Sequence, residues 1–246
     1  MENAQLISLS RQIALRNQID VVASNMANIN TTGFKAQRMV FEEVTMPLAE
    51  ASEFKQSDQR LSYVQDYGTS FNMLQGSVRL TGNELDVAVD GDGWFAIAMP
   101  DGSETYTRDG SFKLDNTGKL VTSTGKEVLT DGGPITFTAQ DGKITISDDG
   151  TISTELGLRG KLKMVSFETP QMAKAIGENL YTYENAIPMR NGKVIQGGLE
   201  GSNVNSIIEV AHMIEITRAY ETVSTMMQKT DDLRENAISK LGSLRA

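Results

Sequence analysis

Apolar residues recur along the first thirty positions with a helical rhythm. Leu15, Ile19, Val22, Met26 and Ile29 follow one another at intervals of 4, 3, 4 and 3, with Leu6, Leu9 and Ile13 on an adjoining row one turn earlier. This spacing predicts an amphipathic helix. Its polar face carries Asn17, Ser24, Asn25 and Asn28, residue types that form helices poorly, so packing against a partner must supply much of its stability. Thr31-Thr32-Gly33 ends the pattern, and Gly33 suits the left-handed position just past a helix C-terminus. Near the other end, Met213, Ile216, Tyr220, Val223, Met227, Thr230, Arg234, Ala237, Leu241 and Leu244 keep 3,4 spacing without a slip, the pattern of a coiled-coil seam. Ser206 followed by Glu209 predicts a capping box at its start. At 1.5 Å per residue these helices would be about 60 Å and about 40 Å long. Neither can bury its stripe in a small core.

Between them the rhythm changes. Short apolar runs or alternations at Leu85–Val89, Trp94–Met99, Lys119–Val121, Ile135–Thr138, Ile144–Ile146 and Leu162–Phe167 are separated by Asp-Gly, Gly-Gly and Asn-Thr-Gly turns. Such turns predict an all-β sandwich or irregular barrel. The expected organisation is a helix over 1–33, an extended connecting segment over 34–81, a β domain over 82–185, a return linker over 186–203 and a second helix over 204–246. The fold class is thus α+β: a mainly β central domain with long terminal helices that come together as a discontinuous coiled-coil domain.

Composition sharpens this division. Of 22 glycines, 21 lie between Gly33 and Gly201, and all five prolines fall in the same interval. The net charge of −9 also belongs to the middle, since each end carries nearly balanced charge. An acidic surface with no basic stripe disfavours nucleic-acid binding. The chain has no cysteine, which removes disulfides, thiolate nucleophiles and zinc-thiolate sites. No apolar run approaches the roughly 18 residues of a membrane-spanning helix, and the opening residues lack the basic and apolar regions of a cleavable signal peptide.

Candidate chemistry is thin. His212 is the single histidine, so a triad or multi-histidine metal site would have to be built around it, and nearby sequence offers no partner. Asp86, Asp90 and Asp92 cluster, but the spacing fails the EF-hand pattern, and aspartate with glycine at a turn explains them without a metal. Gly91-Asp-Gly93-Trp94-Phe95-Ala96 lacks the third glycine of a dinucleotide fingerprint, and Trp94 reads as a core anchor. No enzyme, cofactor or metal site is expected. What stands out is a pair of apolar seams too long for their own domain, the mark of association with other chains.

The motifs carry a resemblance. Asp20-Val-Val-Ala-Ser-Asn25-Met-Ala-Asn28-Ile-Asn30-Thr31-Thr-Gly33-Phe34-Lys35 resembles the N-terminal signature of the bacterial flagellar basal-body rod and hook proteins. Leu199-Glu200-Gly201-Ser202-Asn203-Val204, Met213-Ile214-Glu215 and Arg218-Ala219-Tyr220-Glu221 resemble its closing signature. Gly91-Asp-Gly93-Trp94-Phe95, Tyr106-Thr107-Arg108-Asp109-Gly110-Ser111-Phe112 and Gly118-Lys119-Leu120-Val121 are similar to its shared β domain. The opening residues and modest length are most like the proximal-rod branch, with a distal-rod or hook-family axial protein as the rival. The resemblance implies a structural subunit that leaves the cell interior through the flagellar type III export apparatus without a cleaved signal. It then assembles in the periplasm with itself and other rod subunits into the helical shaft that transmits torque for motility. The expected assembly interface comprises Leu15, Ile19, Val22, Met26 and Ile29 with Met213, Ile216, Tyr220, Val223, Met227 and Leu241. A reading of another class is an extracellular carbohydrate- or calcium-binding β module with helical oligomerisation arms.

Overall fold

The computed structural model describes residues 2–45, 62–189 and 192–243. The chain forms two compact units, one of Met1–Met26, Gln37–Ser70 and Asn205–Ala246, the other of Ala27–Ala36 and Phe71–Val204.

The first unit begins with α1 (Glu2–Ala27), 26 residues and about 39 Å long at 1.5 Å per residue. One face buries Ala14, Val22 and Asn25. The opposite face carries Leu6, Leu9 and Ile13, which are 52%, 45% and 54% exposed. The helix stops earlier than its pattern suggests. Thr31 N–H donates to the Asn28 carbonyl and Thr31 Oγ1 to Asn28 Oδ1, and this local side-chain bonding competes with further helix. Ile29 therefore lies outside the helix, and Gly33 is not its C-terminal cap. β1 (Gln37–Thr45) and β2 (Ser62–Phe71) then pair with each other. The expected connecting segment over 34–81 thus includes these two strands and, among its described residues, a third at Val78–Leu80; residues 46–61 lie outside the described residues.

α2 (Ser206–Ser243) is 38 residues long, about 57 Å. Its cap is Asn205, whose Oδ1 accepts from Ile207 N–H at 3.1 Å and Ile208 N–H at 3.3 Å. This corrects the expected Ser206–Glu209 capping box: asparagine caps as well as serine and stands one residue earlier. Along α2, Val223 is buried, Met213, Ile216, Tyr220, Met227, Thr230 and Arg234 are half-buried, and Ala237 is exposed. The side chains of Leu241 and Leu244 lie outside the described residues. Four threonine hydroxyls, Thr217, Thr222, Thr225 and Thr230, donate to the carbonyl four residues earlier, at 2.7–2.9 Å.

The second unit is β-rich. In chain order it contains β3 (Val78–Leu80), β4 (Val87–Asp90), β5 (Gly93–Ala98), β6 (Glu104–Thr107), β7 (Lys113–Leu114), β8 (Leu120–Val121), β9 (Leu129–Thr130) and β10 (Gly133–Pro134). There follow β11 (Thr145–Ile146), β12 (Thr151–Thr154), β13 (Gly157–Lys161), β14 (Met164–Ser166), β15 (Lys174–Gly177), β16 (Leu180–Thr182), β17 (Ile187–Pro188), β18 (Lys193–Gln196) and β19 (Gly198–Glu200). Six of these form one sheet in the order β15-β16-β6-β5-β14-β17. β5 lies inside that sheet, and its alternating side chains serve two cores. Phe95 and Ile97 pack in one cluster with Val87, Phe112 and Leu162, while Trp94 and Ala96 pack in another with Tyr106, Val165, Phe167 and Tyr181. Burial on both faces explains why Trp94–Met99 reads as an apolar run.

Two features differ from the sequence reading. The sheets do not close into a barrel, because β15 and β17 each pair on one side only and end the six-stranded sheet. Ile135–Thr138 buries Ile135 and Phe137, yet its ladder pairing is a lone bridge between Lys119 and Thr136, so a buried run here is not a strand. The last strands return to the start of the unit, β18 pairing antiparallel with β4 and β19 with β3.

Candidate assembly site

The motif residues of the second unit converge on a buried charged clasp. Lys35 Nζ lies 2.7 Å from Glu200 Oε1, and Arg108 Nη1 lies 3.2 Å from Glu200 Oε2. All three side chains are at most 1% exposed. Backbone completes the shell: Lys35 Nζ donates to the Leu74 carbonyl at 2.7 Å, and Gly76 N–H donates to Glu200 Oε1 at 2.9 Å. One carboxylate thus serves two cations buried away from bulk solvent, so each partner depends on it. Burial pushes Lys35 below its ordinary pKa, and attraction to Glu200 opposes that shift. Burial lowers Arg108 in the same way, again opposed by Glu200. Arg108 also lies over the Trp94 ring, 5.1 Å from its centroid, a cation–π contact that anchors the clasp to the sheet.

Glycine and asparagine make the approach close enough. Gly33 has φ +66°, and a Cβ there would come within 2.4 Å of Asp109 N; its own N–H donates to the Glu200 carbonyl at 2.8 Å. At Gly76 a Cβ would meet the Gly201 carbonyl oxygen at 2.0 Å. Asn203 joins three segments: its Oδ1 accepts from Ala36 N–H at 2.7 Å, and its Nδ2 donates to the carbonyls of Asn72 at 2.7 Å and Leu74 at 2.8 Å. Asn203→Ala should therefore cost about 2–4 kcal/mol, since each backbone group it leaves unpaired costs about 1–3 kcal/mol. Urea unfolding followed by Trp94 fluorescence measures this, and a loss below about 0.5 kcal/mol contradicts the assignment.

The remaining motif residues divide between the units. Thr32 Oγ1 donates to Asp109 Oδ1 at 2.7 Å, Ser202 Oγ accepts from Val204 N–H at 3.3 Å, and Phe34 is buried. Asn30 is exposed. In the helical unit, Asn25 is 1% exposed and pairs with the backbone of Gln37 in both directions, at 2.9 Å and 2.8 Å. It fixes the last turn of α1 to the first residue of β1. Arg218 is exposed and Tyr220 half-buried on α2. Glu200 and Arg108 stand in the sequence only as members of longer motif stretches, and Gly76 in none of them; a lone charge between glycines and apolar residues, as at Gly198-Leu199-Glu200-Gly201, is the signal that could have singled out Glu200.

The expected interface residues lie on the helical unit, apart from Ile29. Val22 and Val223 are 6% and 7% exposed within the chain itself; Leu15, Ile19, Met26 and Ile29 are half-buried. A cleft of about 610 Å³ runs between α1, β1 and the first half of α2, with Leu15, Val22, Ile208 and Ile216 among its apolar lining and Arg38, Glu209, His212 and Glu215 among its polar lining. The exposed apolar positions of α2 include Ile207, Ile214, Met226 and Leu233.

The carboxylate cluster sits elsewhere. Asp86 accepts from Thr81 Oγ1 at 2.6 Å and Asn83 Nδ2 at 2.9 Å, while Asp90 and Asp92 are exposed. Among the described residues, no three His, Asp or Glu side chains form a group that could hold a metal ion, and no helix is long and apolar enough to cross a membrane.

Comparison with known proteins covers the same segments. Residues 6–35 match the family described as flagella basal body rod protein, residues 88–154 the flagellar hook protein FlgE/F/G D1 domain, and residues 195–240 the flagellar basal body rod FlgEFG protein C-terminal. The chain is 38% identical to the flagellar basal-body rod protein FlgF of Caulobacter vibrioides over 248 residues, covering 99% of this chain and 100% of that one. It is 34% identical to FlgF of Rhizobium meliloti, with 100% of both chains covered. It is also 34% identical to the rod protein FlgG of Borreliella burgdorferi, over 95% of this chain and 96% of that one.

Proposed function

We propose how this chain, which belongs to the flagellar basal-body rod protein family, is built into a shaft. It is a structural subunit of the basal-body rod, and the FlgF-type, proximal-rod reading fits better than the FlgG-type one. Its terminal helices form the coiled-coil layer through which subunits pack, and the β-rich unit keeps its own fold. Subunits reach the periplasm through the flagellar type III export apparatus and there assemble with one another and with other rod proteins. The chain catalyses nothing: its role is to hold shape under torque.

The observation that carries this reading is the surface of the two helices. Each is far longer than the average of about 11–12 residues and presents rows of apolar side chains, Leu6, Leu9 and Ile13 on one and Ile207 and Ile214 on the other, exposed in the single chain. Apolar surface of this kind marks association, and its burial contributes about 25 cal/mol per Å². The seam residues Leu15, Ile19, Val22, Met26, Met213, Ile216, Tyr220 and Val223 hold the helical unit in the form that neighbours recognise.

Val223→Asp tests this. A carboxylate placed at a position 7% exposed is buried without a partner. The variant is expected to be missing from purified basal bodies and to abolish motility, while hydrogen exchange across residues 87–200 stays at the native level. Normal motility would remove the assembly role of the seam, and absence of the unaltered protein from purified basal bodies would remove the rod reading.

A further inference from the structure

The helical unit leaves two surfaces incomplete, and they complement each other. On α1, Leu6, Leu9 and Ile13 share an outward row, and the exposed Arg16 and Asp20 continue it at the same 3,4 spacing. Across the unit, the 610 Å³ cleft offers an apolar wall, with Glu209 and Glu215 on α2 and Arg38 on β1 along its lining. Ile208, on that wall, is 49% exposed. One surface is apolar followed by a base and then an acid. The other is apolar flanked by two acids and a base.

We infer that the outward row of α1 from a second copy of this chain seats in this cleft. Leu9 and Ile13 meet the apolar wall, Arg16 faces Glu209 and Glu215, and Asp20 faces Arg38. This rests on the rod-subunit reading and names the contact by which one copy joins the next. Charge selects α1 as the occupant. A second exposed row, Ile207, Val210 and Ile214, lies on α2 among Glu209 and Glu215 themselves, and further along α2 the exposed Leu233 directly follows Asp231 and Asp232. Seating it in a second copy's cleft would set acid against acid, and like-charge juxtaposition at an interface costs several kcal/mol. Because the donor row and the acceptor cleft are different surfaces, the contact is heterologous. Each joined copy offers a fresh cleft and a fresh row, so the assembly continues as a ring or an open helix instead of ending at a symmetric dimer.

The absence of native cysteine allows a direct test, because only introduced thiols can bridge. Leu9→Cys and His212→Cys proteins, purified separately, mixed and mildly oxidised, should give mixed disulfide dimers in about tenfold excess over either homodimer, the preference that one matched contact confers. The chain carrying both substitutions should give a ladder of covalent oligomers. Adding Arg16→Glu should abolish the ladder, and adding Glu209→Arg and Glu215→Arg to that chain should restore it. Homodimers alone, no bridging, or a ladder indifferent to Arg16→Glu overturns the inference. Ile13→Cys with Glu209→Cys repeats the test should the first pair perturb folding, which circular dichroism detects. The same double variant in cells separates the two readings: subunits present in basal bodies but unbridged after oxidation overturn this contact and leave the rod reading intact. Absence of the unaltered chain from basal bodies overturns the rod reading itself.

Discussion

Glu200→Ala is expected to unfold the β-rich unit at temperatures where the native protein is intact. The substitution leaves Lys35 and Arg108 buried beside each other without their paired carboxylate, the exposed Asp92 acting on them only through space, and removing one partner of a buried ion pair costs about 3–5 kcal/mol. A folded domain has roughly 5–15 kcal/mol in hand, so the loss takes a large share of it. For a chain of this size the midpoint should fall by roughly 6–20 °C. Trp94, the single tryptophan, reports locally because the Arg108 guanidinium lies over its ring. A fall of under about 2 °C, read by Trp94 fluorescence, would show that the clasp is not a keystone. Glu200→Gln keeps the shape and one acceptor but not the charge, and should fall between the two.

Gly33→Ala comes next in size. A side chain at φ +66° pays about 1–2 kcal/mol for the left-handed backbone, and the new Cβ would stand 2.4 Å from Asp109 N and 2.5 Å from the Arg108 carbonyl carbon. Relieving that overlap means moving backbone, at about 1–3 kcal/mol. Displacement also lengthens the bond from Gly33 N–H to the Glu200 carbonyl, so the same substitution loosens the clasp from its other side. Denaturant unfolding should show a lowered midpoint with an unchanged slope, since neither compact nor unfolded state gains surface. An unaltered midpoint would mean that residues 108–109 yield freely, and the close packing of the motif would then have no structural purpose.

The helices were legible because a 3,4 pattern over a stretch nearly free of glycine and proline has few other solutions. Their exact limits were not legible. Asn28 and Thr31 close a turn that pulls Ile29 out of the helix, and Asn205 takes the cap that the pattern assigns to Ser206. β5 was visible as an apolar run because both its faces are covered, whereas β15 was not, since all four of its residues are exposed and give no alternation. The clasp was hidden for another reason. Lys35 and Glu200 are separated by 165 positions, and nothing local to either one says that it pairs with the other. The motifs placed Lys35 and Glu200 in view; their pairing, and the reason for the lysine, came from the fold.

The threonines of α2 bear on how such a helix can be covered. By composition Thr217, Thr222, Thr225 and Thr230 make its surface look polar, yet each hydroxyl already gives its hydrogen to a carbonyl of the helix. A hydroxyl without a partner costs about 1–3 kcal/mol to take out of water by mutational measures. These four carry their partner with them, so a neighbouring subunit that covers α2 strips away little hydration they depend on, and the methyl groups are what it meets. Such a helix remains wettable while it is alone and becomes an oily rail once it is enclosed.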